Sequence, residues 1–186
     1  KKGLSSILYV GESPFFKILK GELSMSALEF AIKMEKDGEK FYTEQAEKHK
    51  GTHLEKLFLD LARDEKKHAE IIEKWAQKMD YQLERTDISE KYKNVFETGK
   101  EFKSDIRPVP TQLEVYELAM KKEIESIELY EKMLKDAVEE KEKKLFEFLI
   151  KEEQKHKELF DNLIGHLRKA EQWVESAEFG IRRDEY

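Results

Sequence analysis

Two Glu-x-x-His motifs contain the residues of this chain best suited to chemistry: Glu65 with His68, and Glu153 with His156. In a helix, residues three apart lie on one face about a turn from each other, so the carboxylate and the imidazole can approach the same ion. Carboxylate oxygen combined with imidazole nitrogen suits iron or manganese better than a structural zinc site. Each motif is therefore a candidate half of a metal centre.

The two motifs belong to a longer internal repeat with an offset of 88 residues, because Glu35 matches Glu123 and Tyr42 matches Tyr130 at the same spacing. The two halves align without a gap from Ala31 to His68. A repeat of this kind predicts two similar structural units, each of which supplies half of the site. The other matched pairs are Ala31 with Ala119, Leu57 with Leu145, Phe58 with Phe146, and Leu61 with Leu149.

The acidic residues of the repeat interrupt apolar stripes of the predicted helices. Glu65 follows Leu61 by four residues, and His68 precedes Ile72 by four, so both face the predicted core. Burying four such carboxylates without compensation would cost several kcal/mol each, against a net domain stability of about 5–15 kcal/mol. Two divalent cations would balance the four charges. The predicted ligands are Glu35, Glu65, His68, Glu123, Glu153 and His156.

Further pairs of residues are matched by the repeat close to these ligands. Tyr42 and Tyr130 are either core aromatics or hydrogen-bond donors to the carboxylates, and we favour donors and take them as candidate catalytic residues. Gly38 and Ser126 lie three residues after Glu35 and Glu123, where small side chains leave room for metals and a ligand or permit close helix packing.

Asp64 and Glu152 precede the two motifs directly and lie four residues before each histidine. Either carboxylate could orient an imidazole. We interpret both as surface charges, because an acidic residue on a helix of so charged a chain is usually solvated.

Long helices must position these residues, since the chain has only 8 Gly and 3 Pro. Short turns predict two antiparallel hairpins, and a connector of about 30 residues joins them. A helix of about 27 residues is roughly 40 Å long, which such a connector can span. The sequence therefore predicts an all-α, ferritin-like four-helix bundle with a long crossover between helices two and three. The predicted helices are residues 24–50, 52–79, 111–138 and 141–169.

The predicted domain organisation has three parts. Residues 1–22 form an N-terminal extension, residues 23–169 the bundle, and residues 170–186 a C-terminal tail or short helix. Both ends carry aromatic residues, which favours docking onto the bundle or a partner. Residues 91–102 of the connector are predicted to form a short helix on the outside.

Composition excludes several classes of function. Charged residues make up 41% of the chain, but acids and bases alternate and the net charge is only −6, so no nucleic-acid surface is expected. The absence of cysteine rules out disulfides, thiolate zinc sites and rubredoxin-type iron sites. No apolar run reaches the roughly 20 residues of a membrane span, so we expect a cytoplasmic protein without membrane contact.

The ligand pattern resembles that of the ferritin-like di-iron carboxylate proteins, specifically the rubrerythrin branch, over residues 24–169. The resemblance implies two iron ions, with manganese as an alternative. In two respects the chain departs from the family: Ser126 stands where rubrerythrins typically carry a further Glu, and the rubredoxin-like domain is missing. The implied roles are Glu35 and Glu123 as terminal ligands, Glu65 and Glu153 as bridging ligands, and His68 and His156 as nitrogen ligands.

The resemblance also implies an activity, namely reduction of hydrogen peroxide or O₂ at a dinuclear iron centre with electrons from a separate donor protein. The missing Glu at Ser126 puts selectivity for peroxide in doubt. Two alternatives are open: a ferroxidase or iron-handling protein, and a non-catalytic helical bundle that binds partners. A homo-oligomer, most simply a dimer, is expected.

Overall fold

The computed structural model describes residues 25–86, 88, 91–92 and 110–181, and its regular structure within these ranges is entirely helical. The predicted all-α four-helix bundle is confirmed. None of these helices combines the length and apolar character needed to cross a membrane. The helices are α1 (Met25–Lys48), α2 (His53–Ala76), α3 (Pro110–Asp136) and α4 (Glu140–Ile181).

The first three helices begin and end within three residues of the predicted bounds, but α4 is longer than predicted. It continues through residues 170–181, because no glycine or proline interrupts the chain between Gly165 and Gly180. Residues 1–24 lie outside the described part of the chain, as does most of the predicted short helix at 91–102. The division into extension, bundle and tail stays a prediction.

Two tight turns build the hairpins. Between α1 and α2, Gly51 adopts a φ of +81°, which glycine reaches without strain. Between α3 and α4, the backbone N–H groups of Val138 and Glu139 donate to the Glu142 carboxylate at 3.0 and 3.4 Å. The short connections leave α1 antiparallel to α2 and α3 antiparallel to α4.

Two tyrosines fix how the hairpins face each other. The Tyr42 hydroxyl of α1 donates to Glu123 of α3, and the Tyr130 hydroxyl of α3 donates to Glu35 of α1. From Glu35 to Tyr42 along α1, the contacts run backwards along α3 from Tyr130 to Glu123, so these helices are antiparallel. Helices α2 and α3 must then be parallel, which requires the connector to travel the length of the bundle.

The connector contacts the bundle along this route. Thr86 donates to Glu152 of α4 from its backbone N–H (3.0 Å) and its hydroxyl (2.7 Å), and the Lys155 ammonium donates to the Thr86 carbonyl at 2.8 Å. Further on, the Tyr92 hydroxyl donates to Asp60 of α2 at 2.7 Å. From the end of α2, these contacts lead past the first half of α4 and back to the first half of α2, as a crossover requires.

The core consists of two apolar clusters, one towards each end of the bundle. All four helices contribute to both, and the crossover adds Ile88 and Tyr92 to the first. Cluster A contains Tyr42, Ala46, Leu54, Leu57, Phe58, Leu61, Ala62, Ile88, Tyr92, Tyr116, Ala119, Leu159, Phe160, Leu163, Ile164 and Leu167. Cluster B contains Leu28, Ala31, Ile71, Ile72, Leu129, Tyr130, Met133, Ala137, Leu145, Phe146, Phe148, Leu149 and Ile150.

We predict that Thr86→Val loosens the crossover in a pH-dependent way. Burial raises a carboxyl pKa, but hydrogen bonds from Lys155 and Thr86 outweigh it and hold the pKa of Glu152 below its ordinary value. Losing the Thr86 hydroxyl should lower the free energy of unfolding by about 1–3 kcal/mol at neutral pH. A lowered folded pKa stabilises above the unfolded pKa of about 4.5 and loses that effect as the pH falls. The deficit should therefore shrink in acid.

Urea denaturation near pH 7 and near pH 4 measures this effect. The matched control is Thr43→Val, whose exposed hydroxyl only bonds the Glu39 carbonyl of its own helix. That variant should stay within about 0.5 kcal/mol of the wild type. An equal deficit in both variants would contradict the assignment.

Candidate metal centre

A polar layer separates cluster A from cluster B, and each helix crosses it once. On α2, Leu61 belongs to cluster A and Ile72 to cluster B, so the turns between them present Glu65 and His68 to the layer. The other helices place their acidic residues in the same way. All six predicted ligands are buried, with relative exposures between 0 and 4%. The six are Glu35 of α1, Glu65 and His68 of α2, Glu123 of α3, and Glu153 and His156 of α4.

The structure brings these six residues together as two overlapping groups of four. In each group, one ligand atom from every residue lies within 4.8 Å of the others. Glu65 and Glu153 belong to both groups, which is the arrangement that two bridging carboxylates would have. The first group is Glu35, Glu65, His68 and Glu153, and the second is Glu65, Glu123, Glu153 and His156.

Both imidazoles turn the same nitrogen towards the carboxylates. His68 Nδ1 lies 2.9 Å from Glu153 Oε1 and 3.5 Å from Glu35 Oε2. His156 Nδ1 lies 3.1 Å from Glu65 Oε1 and 3.6 Å from Glu123 Oε2. Each histidine thus lies closest to the bridging carboxylate of the other hairpin, so neither hairpin forms a complete half-site alone.

Glu35 and Glu123, the carboxyls that each belong to one group only, have raised pKa values. Burial raises the pKa of Glu35 and Glu123 well above the ordinary value, and the charges of Glu65 and Glu153 raise both further. Without a cation, these two groups are the favoured sites for protons.

Glu65 and Glu153, the two carboxylates that both groups share, have pKa values shifted in the opposite direction. Burial works against their charge. Contacts with Glu35 and the two histidines nevertheless hold the pKa of Glu65 below the ordinary value, and contacts with the two histidines do the same for Glu153. Burial would lower the pKa of His68 and His156, yet the surrounding carboxylates raise it well above 6.5. These directions favour protons on the two imidazoles and negative charge on Glu65 and Glu153.

Both tyrosines predicted near the site contact its terminal carboxylates. Tyr42 donates to Glu123 and Tyr130 donates to Glu35, and both rings are buried. Burial and the neighbouring carboxylates raise the pKa of each hydroxyl, so each keeps its proton and remains a donor. The geometry favours the role of donor to the carboxylates. A catalytic role stays a prediction.

The layer fits a pair of cations, because it holds buried nitrogen and oxygen atoms that make no hydrogen bond to a described residue. Buried polar atoms in proteins nearly always find a hydrogen-bond partner. Here, both ring nitrogens of each histidine, both oxygens of Glu153, and one oxygen each of Glu35 and Glu65 have none among the described residues. Carboxylate oxygens and imidazole nitrogens are donors that iron and manganese accept.

Sequence reasoning was wrong about the residues that precede the two motifs. Asp64 is 5% exposed, and its Oδ2 lies 3.8 Å from His156 Nε2, on the side away from the carboxylates. Glu152 is fully buried and accepts hydrogen bonds from Thr86 and Lys155. Neither is a surface charge. Periodicity misses this because both contacts involve elements distant in sequence: Thr86 of the crossover for Glu152, and His156 of α4 for Asp64.

The two small residues lie beside the carboxylates. A Cβ at Gly38 would lie 3.3 Å from Glu65 Cγ, so glycine permits the observed position of that carboxylate. The Ser126 hydroxyl turns back to the Lys122 carbonyl of its own helix at 3.1 Å. Both residues line a groove of about 720 Å³ between α1 and α3, so both leave room beside the site.

Comparison with models of known protein families gives a match. The family model described as rubrerythrin matches residues 26–164, a range that includes all six candidate ligands and both tyrosines. None of the curated proteins and none of the solved structures that were compared matches the chain.

We predict that Glu35→Gln and Glu123→Gln, which are equivalent by the repeat, each abolish one of two cation sites. Mn²⁺ titration by calorimetry should show two tight sites in the wild type and one in each variant. The affinity of the lost site should fall more than about 100-fold, since even residues that only orient ligands account for roughly 10–100-fold. The exposed Glu131→Gln on α3 is the control and should keep both sites. Two intact sites in both variants would show that these carboxylates are not ligands.

We also predict that binding two divalent cations releases about four protons, one each from Glu35, Glu123, His68 and His156. The reason is that the raised pKa values leave these groups protonated when no cation is bound. Affinity should accordingly rise with pH. Calorimetry near pH 6 in buffers of different ionisation enthalpy counts the protons, and Glu35→Gln should release one fewer. Release close to zero would disprove the assigned protonation.

Proposed function

The chain belongs to the rubrerythrin family, and we propose that it is a di-iron carboxylate redox protein that reduces hydrogen peroxide or O₂. The observation that carries the proposal is the pair of overlapping buried half-sites that share Glu65 and Glu153. Such sharing would hold two cations at one short separation. A dinuclear centre of this kind supports two-electron chemistry.

The donor set assigns each residue a place. Glu35 and His68 would hold one ion, Glu123 and His156 the other, and the two shared carboxylates would bridge them. Two ferrous ions supply one electron each, which together meet the two-electron demand of reducing peroxide to water. Manganese fits the same donors and is the alternative metal.

The protein's own contribution is positioning, dryness and proton supply. Clusters A and B cover the layer towards both ends of the bundle and exclude water from those two sides, while the groove between α1 and α3 leads to it from a third. Tyr42 and Tyr130 orient the terminal carboxylates and hold a proton at each phenolic oxygen beside the site. A substrate oxygen that gains charge during O–O cleavage would therefore find a hydroxyl donor nearby.

We further propose that electrons come from a separate donor protein, since the chain has no cysteine for a thiolate iron site of its own. We also propose that the protein forms a homodimer. Oxidation of ferrous iron for storage is a second possible use of the same residues. Storage requires a closed shell of many copies, so the mass of the assembly in solution distinguishes iron storage from the reduction of peroxide or O₂. A purely structural module does not require four buried carboxylates.

We predict that the ferrous-loaded protein reacts with hydrogen peroxide at least about tenfold faster than free ferrous iron. Two ferrous ions should be consumed for each peroxide, because both electrons leave one centre. Anaerobic stopped-flow absorbance measures the rate and the stoichiometry. Glu153→Gln removes a shared ligand and should abolish the acceleration, whereas the exposed Glu131→Gln should keep it. A rate no faster than that of free iron would refute the enzymatic proposal.

A further inference from the structure

A groove follows the seam between α1 and α3 and reaches the candidate metal centre. Its volume is about 720 Å³, and along α1 it extends from Phe30 to Phe41. The eleven steps along the helix from Phe30 to Phe41 correspond to about 16 Å, at 1.5 Å per residue. Its floor includes Tyr42, Glu65 and Glu123, so its inner end is the polar layer itself.

The groove is much larger than hydrogen peroxide or O₂ requires. A water molecule occupies about 30 Å³ in the liquid, and either small oxidant is only slightly larger. The volume of the groove falls within the roughly 300–1,000 Å³ typical of sites for organic ligands. A channel that served only the small oxidants would not need this space.

The walls of the groove indicate what kind of molecule fits. Four of its rim charges form two pairs, Lys33 with Asp37 at 2.5 Å and Lys122 with Glu125 at 3.1 Å. Glu128 and Lys132 also line the groove. A charged ligand would have to compete with these pairs, whereas an uncharged apolar group would not. The apolar lining residues are Phe30, Met34, Phe41, Leu118 and Leu129.

The floor is polar where the walls are not. Glu65 is 4% exposed, and its Oε2 would lie 3.5 Å from a Cβ at Gly38, which has no side chain to cover it. The Ser126 hydroxyl donates to the Lys122 carbonyl of its own helix at 3.1 Å and lies 3.5 Å from Met34 Sδ. An occupant that satisfies both regions is apolar along most of its length and carries a small oxygen-containing group at one end.

We propose that this groove binds an organic hydroperoxide, with its apolar substituent along the walls and its O–O group at the floor. The inference rests on the proposed function and names its substrate class. In the reaction the O–O bond breaks, and R–O–OH takes up two electrons and two protons to give R–OH and water. The electrons come from the reduced metal pair, one from each ion, and the protons come from solvent.

Two exposed leucines allow a matched test. Leu118 lines the groove and is 46% exposed, whereas Leu59 lies on α2 outside it and is 43% exposed. Glutamate should be tolerated for folding at either position. Only Leu118→Glu places a charge in the apolar wall.

The first measurement uses metal-free protein and cumyl alcohol, the product of cumene hydroperoxide reduction. Ligand-observed NMR should detect binding to the wild type and to Leu59→Glu, and about tenfold weaker binding to Leu118→Glu, a change of the size small alterations of an apolar pocket cause. Equal binding to all three, or none to the wild type, would overturn the proposal. A drop in the measured mass of Leu118→Glu alone would mean that a second copy covers the groove, which would also overturn it.

The second measurement uses the ferrous-loaded protein. Cumene hydroperoxide should oxidise the wild type and Leu59→Glu at similar rates and Leu118→Glu about tenfold more slowly, while hydrogen peroxide should oxidise all three alike. If hydrogen peroxide reacts and cumene hydroperoxide does not, the groove proposal fails and the proposed function stands. If neither oxidant reacts, the proposed function fails and this inference fails with it.

Discussion

The structure depends on charge balance in one buried layer. Four carboxylates from four helices meet between two apolar clusters, where an unpaired charge is too costly to keep. The raised pKa values of Glu35, Glu123, His68 and His156 favour four protons in this layer when no cation is bound. Two divalent cations would bring the same four positive charges. Charge balance would therefore couple metal binding to the release of protons.

This constraint explains why the repeat, the topology and the tyrosines belong together. Each histidine approaches the bridging carboxylate of the opposite hairpin, so the layer forms only when both hairpins pack. The crossover makes that packing possible by bringing α3 parallel to α2. It also breaks the symmetry of the repeat, because Glu152 binds Thr86 whereas its counterpart Asp64 lies near His156. Two halves with similar sequences thus have different surroundings.

Much of the site could be predicted from the sequence, because the core-facing stripes of the helices place Glu65 and His68 inward. The bundle and the crossover followed from helix lengths and the long connector. Other features depend on contacts between elements distant in sequence, which periodicity does not describe. The burial of Glu152 depends on the path of the crossover, and the contact of Asp64 depends on where α4 places His156. Beyond Lys169, α4 continues because no glycine or proline interrupts it before Gly180.

The most direct test of the account is anomalous diffraction from crystals loaded anaerobically with ferrous iron, recorded at the iron absorption edge. The account predicts two peaks per chain inside the buried layer, with Glu65 and Glu153 each contacting both of them. Iron bound only at the surface, or a layer that stays free of iron in a protein otherwise shown to bind it, would contradict the account.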